Sequence, residues 1–378
     1  MADIVVVGGG VIGLSIAYEL AGQGVSVRVV ERGELGREAS WAGAGILPPG
    51  DPQFATTMQD RLGAYSCQLW PHWSEELHDE TGIDNGFLRC GAVQVSAHGA
   101  VDQFQQDIHR LRTKGVRVET PPLPELLDIE PKLNSRLAAG YLVPDLCQVR
   151  NPRHLKAMVA ACDRRSVELS PFTPVVDVIR HGDRVQAIQT PDDRICADQF
   201  CIAGGPWSGQ ILNQAKYHIE LKPIRGQMVL LQTQPSLISR VIENGKRYIV
   251  PRPDGRVLVG SSEECVGFEK RTTTGVISEL MQFAIELVPS LAQANYVQAW
   301  SGLRPVTPNH SPILEQIPGL ENLFLATGHN RAGLQLSPVT AVLLRQLMLR
   351  QDLLMPLAEF SSRDYQSGNR TATEHTAR

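Results

Sequence analysis

Glycines at positions 8, 10 and 13 form a G-x-G-x-x-G pattern, Gly8-Gly9-Gly10-Val11-Ile12-Gly13, and an acidic residue, Glu31, follows 18 residues after the last of them. Each glycine has a mechanical use: the first for a tight turn, the second so that backbone amides approach a pyrophosphate, the third so that a helix packs on a strand. A carboxylate at Glu31 can accept a hydrogen bond from the 2′-hydroxyl of an adenosine ribose and repels a 2′-phosphate. The chemistry these residues suit is the holding of a dinucleotide. Taken alone the pattern is a weak signal, and its bland reading is a structural turn with no ligand.

Those residues work together only if a strand, a turn and a helix place them. Residues 3–7 are a β-branched run suited to a strand buried on both faces. From Val11 to Leu20 the apolar residues keep helical spacing, Gln23-Gly24 closes the helix, and 25–30 resume the strand pattern with Glu31 at its end. The expected unit is βαβ. Two further junctions of strand and glycine turn are read at 194–203, leading into Gly204-Gly205-Pro206-Trp207-Ser208, and at 322–326, leading into 327–333 and a helix over 334–349. The run 37–46 is rich in small residues, which let backbone approach a flat ring. Residues 87–95, 226–232 and a hairpin of 247–251 with 256–260 read as strands without a βαβ rhythm. Residues 120–133, with four prolines, read as a connecting loop, and the polar 361–378 as a disordered tail.

Composition narrows the class of function. At 378 residues the chain is long enough for two domains, and 42% hydrophobic with 20% charged residues is ordinary for a globular protein. The net charge of −4 and the absence of charge blocks give no electrostatic footprint for nucleic acid or an anionic membrane. A small-molecule substrate is expected. The seven cysteines are odd in number and contain no C-x-x-C pair, which reads as reduced thiols in the cytoplasm. The apolar stretch 4–18 is too short to span a membrane and contains four glycines. His72 and His78 with Glu75, Glu76 and Asp79 have the wrong spacing for one metal face and read as the solvated side of a helix, and Trp207 as packing. No metal is expected.

Five motifs in order, GGGVIG with Glu31, REASWAGAG, IAGGPWSG, GLRP at 302–305 and ATGHNRAGLQLSP, resemble the D-amino-acid oxidase family of FAD enzymes, from residue 3 to about residue 350. The resemblance implies an α/β (α+β overall) architecture: a Rossmann-like FAD-binding domain from 1–84, 145–220 and 300–360, with an inserted antiparallel-sheet substrate domain from 85–144 and 221–299. It implies FAD contacts at Gly8, Gly10, Val11, Ile12 and Gly13, at Glu31 and Arg32 by the ribose, and at Ala39 and Ser40 along the phosphates. Ala44, Gly45 and Ile46 would lie against the isoalloxazine and Val175 by the adenine. His329, Asn330, Arg331, Ala332, Gly333, Leu334 and Gln335 match the loop that runs onto the flavin. No cysteine follows GLRP, so the FAD would be non-covalent.

The same resemblance implies Arg304 as the residue holding the substrate carboxylate, where a planar fork is needed that Lys cannot supply. Tyr248 would meet the same carboxylate and Arg331 would lie near the substrate; the bland alternatives are a strand tyrosine and a charge beside the flavin. The implied reaction is oxidative deamination of glycine, other small amines or D-amino acids to an oxo acid, ammonia and H2O2, with no side chain acting as acid or base. Contact with a thiazole synthase and a homo-oligomer are compatible with the resemblance, which leaves both open. The sequence Ser261-Ser262-Glu263-Glu264 departs from an apolar residue of the family near the substrate and leaves the substrate range open. So do two rivals: a dehydrogenase passing electrons to a membrane quinone, and a flavin-domain protein acting on modified tRNA.

Overall fold

A computed structural model describes residues 2–96 and 101–365. The β-branched run forms the strand Ile4–Val7, the centre of a six-stranded sheet. The strand order is Ile313–Gln316, Leu323–Thr327, Gln199–Ile202, Ile4–Val7, Val27–Val30, Glu168–Ser170, parallel throughout except for Ile313–Gln316. Both faces of Ile4–Val7 are covered, so every residue in it is apolar. Ile4 and Val6 pack under the helices Val11–Ala21, Met58–Thr81, Asn151–Arg164 and Gly333–Met348. Val5 and Val7 face a core shared with a three-stranded antiparallel sheet, Asp177–His181, Arg184–Gln189 and Arg194–Cys196. Burying each such side chain stabilises by about 1.5–3 kcal/mol, which is why the centre of the sheet tolerates no polar residue.

A seven-stranded sheet runs in the order Asn295–Val306, Lys222–Gln232, Arg256–Gly260, Arg247–Pro251, Val241–Asn244, Ala92–Ser96, Ala139–Val143. Only the pair Val241–Asn244 and Ala92–Ser96 is parallel. Side-chain alternation splits its faces. Val229, Leu231, Ile249 and Val257 pack under the helix Thr274–Leu287, whereas Met228, Tyr248 and Val250 turn the other way, toward Ala44 and Ile46. That second face meets the C-terminal ends of the parallel strands, where open α/β sheets leave a crevice.

Three local expectations change. The proline-rich stretch contains a helix, Leu123–Ile129, because its prolines sit at the N-cap and first turn, where no N–H is needed, and Leu126 is fully buried. The run 194–203 is two strands in two sheets: the chain crosses between them at Ala197-Asp198, where Asp198 N–H donates to the Asp3 carbonyl. The chain is irregular over residues 173–176, ahead of the strand Asp177–His181. Of the tail, Ser361 and Ser362 are held instead by Glu315 Oε2, and Ser362 Oγ lies 2.5 Å from Tyr217 Oη; residues 366–378 lie outside the described residues.

Candidate active site

One continuous cavity of about 700 Å³ lies between the parallel strand ends and the free face of the seven-stranded sheet. Every residue anticipated for cofactor or substrate lines it except Gly13, which stands behind the wall. A Cβ on Gly13 would come within 1.9 Å of the Gly8 carbonyl oxygen, so only glycine lets the helix Val11–Ala21 sit this close to the strand. Gly8 has φ +116°, a conformation that glycine alone adopts readily, and a Cβ there would lie 2.4 Å from the Ala203 carbonyl oxygen. Gly10 opens on the cavity.

Beside it Ser40 Oγ accepts from Val11 N–H at 2.9 Å and so satisfies one donor of the helix start, while Asn151 Nδ2 donates to the Ser40 carbonyl. At one end of the cavity Glu31 accepts from Gly9 N–H (2.8 Å) and Gly33 N–H (3.0 Å). The Glu31 carbonyl accepts from Thr173 N–H, which brings Val175 to the same wall. Arg32 pairs with Glu38 and lays its guanidinium 3.5 Å from the Trp207 ring centroid. Trp207 therefore meets a cation at the cavity wall and also packs its ring 5.6 Å from that of Phe268.

In the middle of the cavity the segment Ala44–Ile46 is fixed from behind. Gly45 has φ +76° and a Cβ there would meet the Val149 carbonyl oxygen at 1.9 Å. The Ala44 carbonyl accepts from the buried Arg252. Opposite, the Gln335 carbonyl accepts from Ser66 Oγ and Trp70 Nε1 on the helix Met58–Thr81, which holds the loop 329–335. His329 is buried against Thr340, and burial pushes its imidazole down to about 3. It stays neutral at any working pH and supplies no charge.

At the far end a single row of cross-strand neighbours runs through the whole sheet: Trp300, Met228, Gly260, Tyr248, Glu243, Gln94, Tyr141. Gly260 is the gap in the row. A Cβ there would meet Met228 Sδ at 2.3 Å and Tyr248 Cε2 at 2.8 Å, so its absence lets those two side chains close over it, with Tyr248 Oη 3.5 Å from Met228 Sδ. Gly226 does the same for Arg304: a Cβ there would lie 2.5 Å from the guanidinium carbon. The guanidinium lies flat on the strand. Arg304 Nη2 donates to Ser261 Oγ (2.7 Å) and Nη1 to the Ser262 carbonyl (3.1 Å), leaving other donors of the guanidinium for a ligand. Burial lowers its pKa from that of an ordinary arginine, yet the group remains a cation.

The departure at 261–264 is what holds this arginine. Glu264 ties the segment down through buried Arg225 (2.7 Å) and Gln227. Burial alone would raise the Glu264 carboxyl, but hydrogen bonds from Arg225, Ser262 and Gln227 bring it down to about 2. Glu263 pairs with Lys246 (2.7 Å) and with Arg331 (3.3 Å), whose Nη2 also donates to the Lys246 carbonyl. Arg331 thus belongs to the rim.

The family model described as DAO, FAD dependent oxidoreductase, matches residues 3–347. The chain belongs to that family. It is 34% identical to glycine oxidase of Pseudomonas aeruginosa over 95% of this chain and 98% of that protein. It is 32% identical to the bifunctional protein ThiO/ThiG of a Nostoc species, over 99% of this chain and 57% of that protein. The crystal structure of glycine oxidase from Geobacillus kaustophilus superposes with a TM-score of 0.90, at 31% identity, covering 96% of this chain and 98% of that one.

The cavity fits an FAD on its own evidence. Glycines whose Cβ would collide with neighbouring backbone leave room for a pyrophosphate at a helix start, and the carboxylate at Glu31 stands at the end of the second strand. The residues that sequence reasoning missed are Gly226, Gly260, Glu243, Ser66 and Trp70. The two glycines left a signal, since glycine inside a strand marks close approach of another group. Glu243, Ser66 and Trp70 left none, because their place depends on which strands and helices become neighbours.

Proposed function

We propose that this protein oxidises glycine and comparably small amines with FAD and O2, giving glyoxylate, ammonia and H2O2. The observation that carries the reading is Arg304 lying flat on Gly226 in the same cavity as the glycines at the helix start, in a wall shared with Tyr248. The glycine oxidases among its relatives support the substrate.

The cradle of Gly8, Gly10 and Gly13 with the helix start at Val11 would hold the pyrophosphate, Glu31 the ribose, and the walls at Ala44–Ile46 and 329–335 the ring system. The chemistry FAD supplies when bound is two-electron oxidation of the substrate's Cα–N bond at the expense of O2, with H2O2 and an imino acid as products. Arg304 binds the substrate carboxylate through its fork and Tyr248 Oη donates a further hydrogen bond, so that the α-carbon is oriented toward the cavity's centre. Neutral His329 takes no proton. With the amine unprotonated, orientation and charge pairing are the protein's contribution, and water completes the reaction by releasing ammonia from the imino acid.

The fused ThiO/ThiG relative supports a place for this oxidation in thiazole formation for thiamine. None of the seven cysteines forms a disulfide, which suits the cytoplasm. An H2O2-coupled assay of the FAD-loaded protein under air across glycine, sarcosine, D-alanine and D-proline tests the reading. Glycine or sarcosine should be oxidised with release of one H2O2 per ammonia or methylamine. Flavin that bleaches with substrate but yields no H2O2 in air would assign a dehydrogenase instead.

A further inference from the structure

We propose that Glu243 makes the substrate end of the cavity selective for amino acids that carry a second, cationic group beyond the α-amine. The inference rests on the reading of Arg304 and Tyr248 as the carboxylate clamp. Glu243 is the neighbour of Tyr248 in the cross-strand row, on the side away from Gly260 and Met228. Both lie on the same sheet face, and both line the cavity. Glu243 sits deep in the molecule yet keeps part of its surface accessible, because it faces the cavity. One carboxylate oxygen, Oε2, accepts from Gln94 Nε2 in the next strand of the row.

A buried carboxylate is unfavourable unless a cation or several donors meet it. The groups that face Glu243 are Tyr248 and Gln94 from the flanking strands, Tyr141 beyond Gln94, and Arg331 from the loop opposite. Burial pushes its carboxyl up to about 7 and the Arg331 charge pulls it down, but Arg331 spends its hydrogen bonds on Glu263 and the Lys246 carbonyl. The other acid of this region, Glu263, is already neutralised by Lys246 and Arg331. Glu243 is therefore the carboxylate at this end that has a hydrogen-bond donor but no ion-pair partner among the described residues. Beyond a clamped carboxylate it offers a seat for an ammonium, and it repels a second carboxylate.

The test uses the FAD-loaded protein at pH 8.5 and two pairs of ligands that differ only by ammonium against methyl. They are D-ornithine with D-norleucine, and N-(2-aminoethyl)glycine with N-propylglycine. Dissociation constants are read from perturbation of the bound flavin spectrum. In at least one pair the cationic member should bind roughly tenfold tighter, the effect of one charged hydrogen bond, and Glu243→Gln should erase that preference. Equal binding in both pairs, no binding by any member, or a preference that survives in Glu243→Gln would overturn the proposal. Should Glu243→Gln fail to retain flavin, the wild-type ratios decide alone. Failure to oxidise glycine would refute the reading of the activity but not these ratios, because they are measured without turnover.

Discussion

Removing charge at Arg304 and adding size at the glycine beneath it should act in the same direction in one measurement. Arg304→Ala removes the fork, and two charged hydrogen bonds at about 1.5–3 kcal/mol each imply roughly a hundredfold or greater loss in kcat/KM for glycine. Flavin content should be unchanged. Arg304→Lys should recover only part of the loss, since an ammonium restores charge without the planar pair of donors, and Tyr248→Phe should lose about one hydrogen bond's worth. Gly226→Ala leaves every charge in place but puts a Cβ 2.5 Å from the guanidinium carbon. It should raise KM by displacing Arg304, with the flavin absorbance of the purified protein unaltered. Near wild-type kinetics in both Arg304→Ala and Gly226→Ala would mean that the carboxylate binds elsewhere. Thiol chemistry adds a check on burial. Cys265 is exposed, while burial pushes the Cys162 and Cys201 thiols up to about 12, so a disulfide reagent should label Cys265 first and those two only on unfolding.

Two segments carry the elements' share of the site. Ser40 caps the helix Val11–Ala21 from another part of the chain. Ser40→Ala should destabilise by about 0.5–2 kcal/mol, the usual worth of a cap, and should weaken FAD retention, measured as the 450 nm absorbance kept through dialysis. The segment 261–264 is fastened by Glu264. With its carboxyl lowered from 4.5 to about 2 by Arg225, Ser262 and Gln227 against the effect of burial, Glu264 contributes stability that is fully present above about pH 4.5 and is lost as pH falls toward 2. Glu264→Gln should remove that contribution at neutral pH, so the gap in melting temperature between it and wild type should narrow on acidification through this window. A gap independent of pH would show that the Arg225 pair is not what fastens the segment. The first βαβ unit was legible from glycine spacing and strand pattern alone because its contacts lie within thirty residues of each other. The Ser40 cap and the Glu264 anchor were not, since each joins a helix or strand to a segment far along the chain.

At the scale of the whole molecule the cavity is lined by residues of both large sheets. A ligand filling it should bind the folded chain and not the unfolded one, so adding FAD to stripped protein should raise the melting temperature by several degrees and make it depend on FAD concentration. FMN, which lacks the adenosine half that Glu31 and Val175 are proposed to hold, should raise it less. An equal rise with both flavins would remove Glu31 from the site. Among the described residues no helix is long and apolar enough to cross a membrane, and none of their acidic, histidine or cysteine side chains cluster as metal ligands.

What the sequence determined by itself was the local machinery: a buried strand, a glycine turn, a helix and an acid at Glu31, whose spacing along the chain is their spacing in space. The motif order also carried the family, because five separated segments must all be present to make one cavity. The tertiary structure alone decided the far end. Seven strands drawn from residues 92 to 306 bring Trp300, Met228, Gly260, Tyr248, Glu243, Gln94 and Tyr141 into one row. A shift of one residue in any pairing would turn that strand's contribution to the other face. Register is set by packing against the helix Thr274–Leu287 on the opposite side, so the chemistry of the pocket depends on contacts that no stretch of sequence contains.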